Sequence, residues 1–441
     1  MEQGKLKQSL SLYQVIMFGL AYMAPMIVFG TYGTLYATTS GYVPYAYLFA
    51  TIAMLFTAYS YGKMAKAFPS AGSAYTFVSK SLHPSLGFMV GWTIMLDYLF
   101  LPLVIWLIGA EYLTTAFPFM PNWSWIIIFI IITTAINIIG INTTTSMNLL
   151  IMLFQILVII IFLGLCIWNV VHGMGEGSLL SRHIFAIAGH HMSPVLAGAS
   201  IACYSFLGFD AVTTLAEETK NPSKTIPRAI MLITIIGGFI FVAVAYVLSI
   251  TVPNFNVIHN TESAAFEIAK IVGGNFLSAL FLSGLILAQF ASGLSAQTSG
   301  ARILYAMGRD GVLNKRIFGF VDKKHQTPIF NLIFIGIIGT IGVFMTISTS
   351  TSFINFGAFI SFAFVNISVI AYYYIKLKQR EGFKKLSYLF IPAIGCILDI
   401  SLFVSLDIHA LILGSAWTCI GFIYLLVLTK CFSKLPPSLA I

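Results

Sequence analysis

The chain has 441 residues, of which 59% are hydrophobic, 15% are aromatic and only 8% are charged. Soluble domains carry about 25% charged residues, so this composition indicates a multi-pass membrane protein and excludes an ordinary soluble domain. The net charge of +9 does not indicate nucleic-acid binding, because the basic residues flank apolar segments on one side. The five cysteines stand singly and form no CxxC pair, so neither a metal site nor a disulfide framework is expected.

A membrane-spanning helix needs about 20 apolar residues, and windows of that length predict twelve spans. The third and eighth windows are long, which predicts tilting or kinking, with Pro102 as the kink in the third. The last two windows meet at Asp407, which predicts a tight turn. The predicted spans are 12–36, 43–67, 86–116, 123–140, 146–171, 193–216, 228–252, 273–300, 328–348, 352–376, 386–406 and 408–430.

The basic residues predict the orientation of these spans. Positive residues accumulate in cytoplasmic loops, and an inside N-terminus places 21 of the 23 basic residues inside. Arg182 and Lys270 alone fall outside. Both termini are therefore expected on the cytoplasmic side, with no cleavable signal peptide. The longer outside pieces are 172–192 and 253–273, and the second is expected to form a short surface helix.

Two of the predicted spans contain an interruption near the middle. In the first span Pro25 removes a backbone hydrogen bond and clashes with the preceding turn. In the sixth span Gly208 weakens the helix beside Asp210. Corresponding interruptions in two halves point to an inverted repeat with a binding site between the halves. The alternative is that proline and glycine only bend these helices and that Asp210 caps a broken turn.

Asp97 is a second acid at membrane depth, well inside the third span. A charge at this depth is unfavourable unless it is paired or faces a wet cavity, and no Lys or Arg lies between Lys80 and the end of that span. Asp97 is therefore expected to face a polar cavity, to be protonated against a neighbouring helix, or to meet a cationic ligand. Tyr98 adds a ring that can contact a cation. Asp399, in the eleventh span, is expected to have a structural role.

The signs of these charges favour a cationic substrate. Asp97 and Asp210 are the mid-membrane acids of the first ten spans, and no basic residue lies at the same depth. A diamine could use both carboxylates. An amino acid would also need its carboxylate held, typically by bare backbone amides at a helix break. Pro25 has no N–H to donate there, which makes an amino-acid substrate less favoured without excluding it.

Several motifs resemble the amino acid–polyamine–organocation (APC) superfamily, in the expected order and over nearly the whole chain. Those around the sixth and eighth spans are SFLGFD at 205–210, EETKNP at 217–222, IPR at 226–228, RILYAMGRDG at 302–311 and TP at 327–328.

Three further stretches are similar to bacterial putrescine importers, although the second of them recurs widely in the superfamily. Many amino-acid carriers of the superfamily have a glycine-rich break in the first span, and this sequence departs from them at Ala24 and Pro25. The stretches are GLAYMAPM at 19–26, FPSAGSAY at 68–75, and GFMVGW at 87–92 with LDYLFLP at 96–102.

The resemblance implies an all-α polytopic membrane protein of twelve helices. It implies a five-plus-five inverted repeat with discontinuous first and sixth helices, and two extra helices. The whole chain, 1–441, would be a single transporter domain. Within it, 12–172 would form the first repeat, 193–377 the second, and 386–431 the last two helices.

The resemblance also implies a substrate site between spans one, three, six and eight, with Tyr204 as an aromatic gate. Asp210 or Glu217 would carry a coupling proton, and no metal or cofactor is expected. The implied substrate-binding residues are Tyr22, Met23, Ala24, Pro25, Met26, Asp97, Tyr98, Tyr204, Phe206, Gly208, Asp210, Phe290 and Ser292.

The predicted function is import of putrescine or a similar polyamine across the bacterial cytoplasmic (inner) membrane by alternating access, coupled to protons. The alternative within the superfamily is an amino-acid:proton symporter or an amino acid/amine exchanger. A membrane enzyme is not expected, because the sequence has no HExxH motif and no nucleophile–base pairing. A sensor without net flux is disfavoured by the short inside loops.

Overall fold

The computed structural model describes residues 10–69, 73–139, 145–181, 192–309, 311, 313–322 and 327–436. In these ranges the secondary structure is helical, apart from one isolated bridge between Leu10 and Thr219. The first half contains α1 (Leu12–Met23), α2 (Ile27–Thr39), α3 (Val43–Ala67), α4 (Ser73–Ser81), α5 (Pro84–Ala116), α6 (Asn122–Ile139) and α7 (Thr145–Val171). The second half contains α8 (Met192–Ala202), α9 (Pro222–Thr251), α10 (Ala264–Arg309), α11 (Ile329–Gly339), α12 (Ile347–Val369), α13 (Phe383–Lys385), α14 (Ile391–Val404) and α15 (Ile408–Leu428).

The helices confirm a multi-pass membrane protein. Ten of those that the structure describes are long and apolar enough to cross a membrane, and the bent pair α1 and α2 makes an eleventh. The apolar segment at the ninth predicted window, Ile329–Phe344, is shorter. Each of the twelve predicted windows contains a helix, but the count of twelve spans stays a prediction.

The first span is broken where the sequence predicts it. Helices α1 and α2 meet at an angle of 43°. Ala24, between them, has a positive φ of 49°. The pyrrolidine ring of Pro25 disfavours helical backbone at the preceding residue, and Pro25 has no N–H to continue the helical ladder. The chain resumes its helix after the Ile27 N–H donates to the carbonyl oxygen of Ala24, at 2.8 Å.

The sixth span is interrupted over a longer stretch. Helix α8 ends at Ala202 and is followed by two 3₁₀ segments, Cys203–Phe206 and Ala211–Glu218. Gly208 lies between them with a φ of 114°, a conformation that residues with a Cβ rarely adopt. The interruption predicted at Gly208 is therefore confirmed, and it leaves several backbone groups outside regular α-helical bonding.

Helix α5 is the most enclosed of the candidate spans. Of its apolar window, 94% is buried, compared with 22% for the span that ends with α14 and 17% for α15. Helix α5 continues through Pro102 as one element, packed against α10 and α12. The tight turn predicted at Asp407 lies between α14 and α15, where the His409 N–H donates to Asp407 Oδ1 at 3.0 Å. Asp97, on α5, is thus carried to the centre of the molecule.

The outside piece 253–273 is helical, and one face of it packs against the rest of the molecule. It forms two 3₁₀ turns, Phe255–Val257 and Thr261–Ser263, and the start of α10. Ser263 lies 2.6 Å from the hydroxyl of Thr115 at the end of α5, and the Tyr36 hydroxyl donates to the Pro253 carbonyl at 3.0 Å. The kink predicted for the eighth window occurs at Gly273 and Gly274. The buried side chains of this piece are Ala264, Ala265, Ile268 and Ala269.

The contact between this segment and α2 depends on Gly33, so a side chain added at Gly33 is predicted to destabilise the protein. A Cβ added at Gly33 would lie 1.6 Å from the backbone carbonyl oxygen of Thr261. We expect Gly33→Ala to lower the melting temperature in detergent by about 5 °C or more, because the backbone must shift to relieve the clash. Gly164→Ala is the matched control, since a Cβ there meets nothing within 4 Å. Equal melting temperatures for the two variants would contradict this packing.

Candidate substrate site

The two helix breaks contact each other. A Cβ built on Gly208 would lie 2.4 Å from the ring of Tyr22, so the absence of a side chain at Gly208 lets the two segments meet. On the other side of the break, the Ser292 hydroxyl of α10 donates to the Tyr22 carbonyl oxygen at 3.4 Å. The structure thus brings together three of the predicted site residues, from the first, sixth and eighth predicted spans.

Two carboxyl groups lie at this contact. Asp97 is 6% exposed and Asp210 is 4% exposed, and the two interact electrostatically. They differ in their hydrogen bonding. The Asp210 carboxyl interacts with backbone N–H groups of its own segment, including those of Gly208 and Ala211. Among the described residues, Asp97 Oδ1 has no hydrogen-bond partner. Asp97 is therefore the carboxyl with unused capacity to bind a ligand.

Three buried tyrosines lie within electrostatic range of Asp97. Tyr22, Tyr98 and Tyr204 all interact electrostatically with Asp97. All three are buried, with at most 9% of any of them exposed. Phenol rings can contact an ammonium group through their faces, and their hydroxyls can donate to a carboxylate. The arrangement can therefore hold a cation between carboxyl groups and aromatic rings.

Tyr61 of α3 belongs to the same cluster, although the sequence does not predict it as a site residue. It is fully buried and interacts electrostatically with Asp97, Asp210 and Tyr98. Its hydroxyl has no hydrogen-bond partner among the described residues. Nothing in the span of Tyr61 marks a break or a buried charge, so the sequence does not distinguish it from the rest of the 20 tyrosines.

Some predicted site residues direct their side chains elsewhere. A Cβ on Gly237 would lie 2.6 Å from Met23 Cε, and one on Gly284 would lie 2.9 Å from Met26 Sδ, so these methionines pack against α9 and α10. Phe206 packs edge-on against Phe241 of α9, with ring centroids 5.1 Å apart. Met23 and Met26 can still line the site with their backbone, as the sequence predicted, and the contact of Phe206 with a substrate stays a prediction.

Two predicted residues remain, Phe290 and Glu217. Phe290 is partly buried and packs against the core. The backbone of Glu217 lies in the 3₁₀ segment Ala211–Glu218, but its side chain lies outside the described part of the structure. The end of this segment is tied to the residues just before α1, because the Leu10 N–H donates to the Glu218 carbonyl oxygen at 3.0 Å.

The helical architecture, the paired breaks and the buried polar centre define a membrane transport protein. The amino acid permease family model matches residues 14–433, so the chain belongs to this family of the APC superfamily, whose members are transporters rather than enzymes. The chain is 40% identical to the low-affinity putrescine importer PlaP of Escherichia coli strain K12, over 98% of this chain and 96% of that protein.

More distant relatives have other substrates in their names. The chain is 22% identical to the branched-chain amino acid permease BcaP of Bacillus subtilis, over 98% of this chain and 95% of that protein. It is 24% identical to the cationic amino acid transporter 4 of Mus musculus, over 83% of this chain and 60% of that protein. The family therefore includes carriers named for neutral amino acids, cationic amino acids and amines.

The contact between the two breaks predicts that Gly208 is intolerant of a side chain. We expect Gly208→Ala to reduce uptake of the transported substrate at least tenfold, because a methyl group would strain the backbone and displace the Tyr22 ring. Gly382→Ala is the control, since Gly382 also has a positive φ, of 51°, but nothing lies within 4 Å of its Cβ position. Uptake assays at matched expression compare the variants, and wild-type rates for Gly208→Ala would contradict the contact.

Proposed function

We propose that this protein imports putrescine or a similar diamine across the bacterial inner membrane by alternating access, with coupling to protons. The observation that carries the proposal is the charge of the interior. Among the described buried residues the charged side chains are Asp97, Asp210 and Asp399, and none is basic. Buried carboxylates are unfavourable without a counter-charge, and a cationic substrate would supply it.

The two central carboxyl groups suit the two ends of a diamine. Asp97 Oδ1 lacks a hydrogen-bond partner and would accept from one ammonium group, which forms a charge-assisted hydrogen bond. Asp210 would face the second ammonium group while its own segment keeps it in place. The rings of Tyr22, Tyr98 and Tyr204 would cover the carbon chain between them. The similarity to a putrescine importer over nearly the whole chain supports the same substrate class.

The break in the first span disfavours an amino-acid substrate. A substrate carboxylate would need free backbone N–H groups at this break. Pro25 has none, the Ala24 N–H donates to the Leu20 carbonyl oxygen at 3.1 Å, and the Ile27 N–H donates to Ala24. Most of the donors at the break are therefore already used within the chain.

Substrate entry would require the helices to separate, because the carboxyl groups of the central site are buried, with 6% of Asp97 and 4% of Asp210 exposed. We infer that a five-plus-five inverted repeat, 12–172 and 193–377, moves around the central site, while 386–431 stays at the periphery. Both termini would be cytoplasmic, and Asp210 or Glu217 would carry the coupling proton.

Transport in proteoliposomes tests the substrate and the coupling together. With an inside-alkaline pH gradient we expect radiolabelled putrescine to accumulate, while arginine, lysine, glutamate and a neutral amino acid do not. A protonophore should abolish the accumulation. Accumulation of a zwitterionic amino acid instead would contradict the substrate, and accumulation that persists under full uncoupling would indicate exchange or another ion.

The unpartnered carboxyl group predicts the effect of a single substitution. We expect Asp97→Asn to reduce putrescine uptake at least a hundredfold at unchanged expression, because the amide cannot balance an ammonium group in a low-dielectric site. Asp407→Asn is the control, since Asp407 caps α15 away from the site and asparagine is an equally good cap. Unchanged uptake by Asp97→Asn would remove this residue from the site.

A further inference from the structure

Asp399, which the sequence suggests is structural, lies at the centre of a hydrogen-bond network between three helices. It is fully buried on α14. The Asn366 side chain of α12 donates to its Oδ2 at 2.9 Å, and Thr57 Oγ1 of α3 lies 3.1 Å from Oδ1 and 3.0 Å from Oδ2. Asn366 is held in turn by the Ser60 hydroxyl, at 2.5 Å. All these partners are neutral.

The position of Thr57 suits both the charged and the neutral form of this carboxyl group. A hydroxyl has one hydrogen to donate and two lone pairs to accept with, yet Thr57 Oγ1 contacts both carboxyl oxygens. When Asp399 is ionised, the single Thr57 hydrogen is shared between the two carboxylate oxygens. When Asp399 is protonated, its O–H can donate to a lone pair of Thr57 while the Thr57 hydrogen serves the other oxygen. A proton can therefore bind and leave without rearranging the helices.

Tyr61 places this network beside the central site. Thr57, Ser60 and Tyr61 follow one another along α3, within little more than one helical turn. The Tyr61 hydroxyl, which lacks a hydrogen-bond partner among the described residues, interacts electrostatically with Asp399 as well as with Asp97 and Asp210. The other titratable groups that interact with Asp399 are Cys203, at the sixth-span break, and Cys396, on its own helix.

We propose that Asp399 is a proton-binding site whose charge sets the affinity of the central site for its cationic substrate; the second half of this statement rests on the proposed function. An ionised Asp399 adds a negative charge in a medium where charges act over long distances, and so tightens the binding of a dication. Protonation removes that charge and weakens the binding. Diamine binding must in turn favour release of the proton from Asp399 to solvent, because linkage is reciprocal.

The sign of the linkage between proton binding at Asp399 and substrate binding at the central site defines the role of Asp399. A proton symporter needs proton and substrate to bind together, whereas a proton on Asp399 and a diamine at Asp97 and Asp210 oppose each other. Asp399 is therefore distinct from the group that carries a symported proton. It would lower the affinity for the substrate when protons are abundant and raise it when they are scarce.

Two measurements on purified protein test the proposal. Infrared difference spectra between acidic and alkaline buffer report carboxyl groups that titrate, and calorimetry in two buffers of different ionisation enthalpy gives the protons released per bound putrescine. We expect Asp399→Asn to remove one titrating carboxyl band, to release fewer protons than wild type, and to bind putrescine with a weaker dependence on pH. Asp407→Asn, at the partly buried cap of α15, should release as many protons as wild type.

Wild-type proton release and pH dependence in Asp399→Asn would overturn the proposal and leave only a structural network. If that variant does not fold, Thr57→Val provides the test. Thr57 contacts both carboxyl oxygens, so its loss should shift the pH at which the Asp399 band titrates by about one unit, and an unmoved band would again overturn the proposal. Failure of the wild type to bind putrescine would instead defeat the proposed function. The infrared titration would still show whether Asp399 binds a proton. Calorimetry with lysine in place of putrescine would show whether the charge of Asp399 affects the binding of a cationic ligand.

Discussion

The interior of this protein contains buried carboxyl groups and, in the part that the structure describes, no buried cation to balance them. This constraint governs the rest of the molecule. Each carboxyl group needs either donors from the protein or a positive ligand. Asp399 obtains donors from α3 and α12, and Asp210 obtains them from its own broken segment. Asp97 keeps an oxygen without a partner, which makes it the site where a cation would gain most.

The two helix breaks meet this constraint together. A break inside a membrane span exposes backbone groups that are tolerated only when they are buried in protein or line a cavity. Ala24 and Gly208 both have positive φ, and the Tyr22 ring fits against Gly208 because no side chain intervenes. Each break therefore shields the other, and the polar groups of both are concentrated where Asp97 arrives on α5.

Asp97 and Asp399 show how different surroundings give two residues of the same type different roles. Both are buried aspartates on candidate spans. Asp399 accepts hydrogen bonds from side chains of α3 and α12, whereas Asp97 keeps an oxygen without a hydrogen-bond partner among the described residues. Tyr61 lies within electrostatic reach of both.

The sequence by itself determined the features that depend on local chemistry. Apolar length predicted where helices lie, Pro25 and Gly208 predicted where two of them break, and the depth of Asp97 and Asp210 predicted a polar centre. The tertiary structure decided what depends on the rotation and packing of whole helices. It packed the side chains of Met23, Met26 and Phe206 against neighbouring helices and packed one face of the segment 253–273 against the rest of the molecule. It also placed Tyr61 near the central carboxyl groups and gave Asp399 its partners. In a chain where almost every face of a helix is apolar, hydrophobic patterning cannot tell lipid from protein, so only the packing of neighbouring helices fixes which way each side chain points.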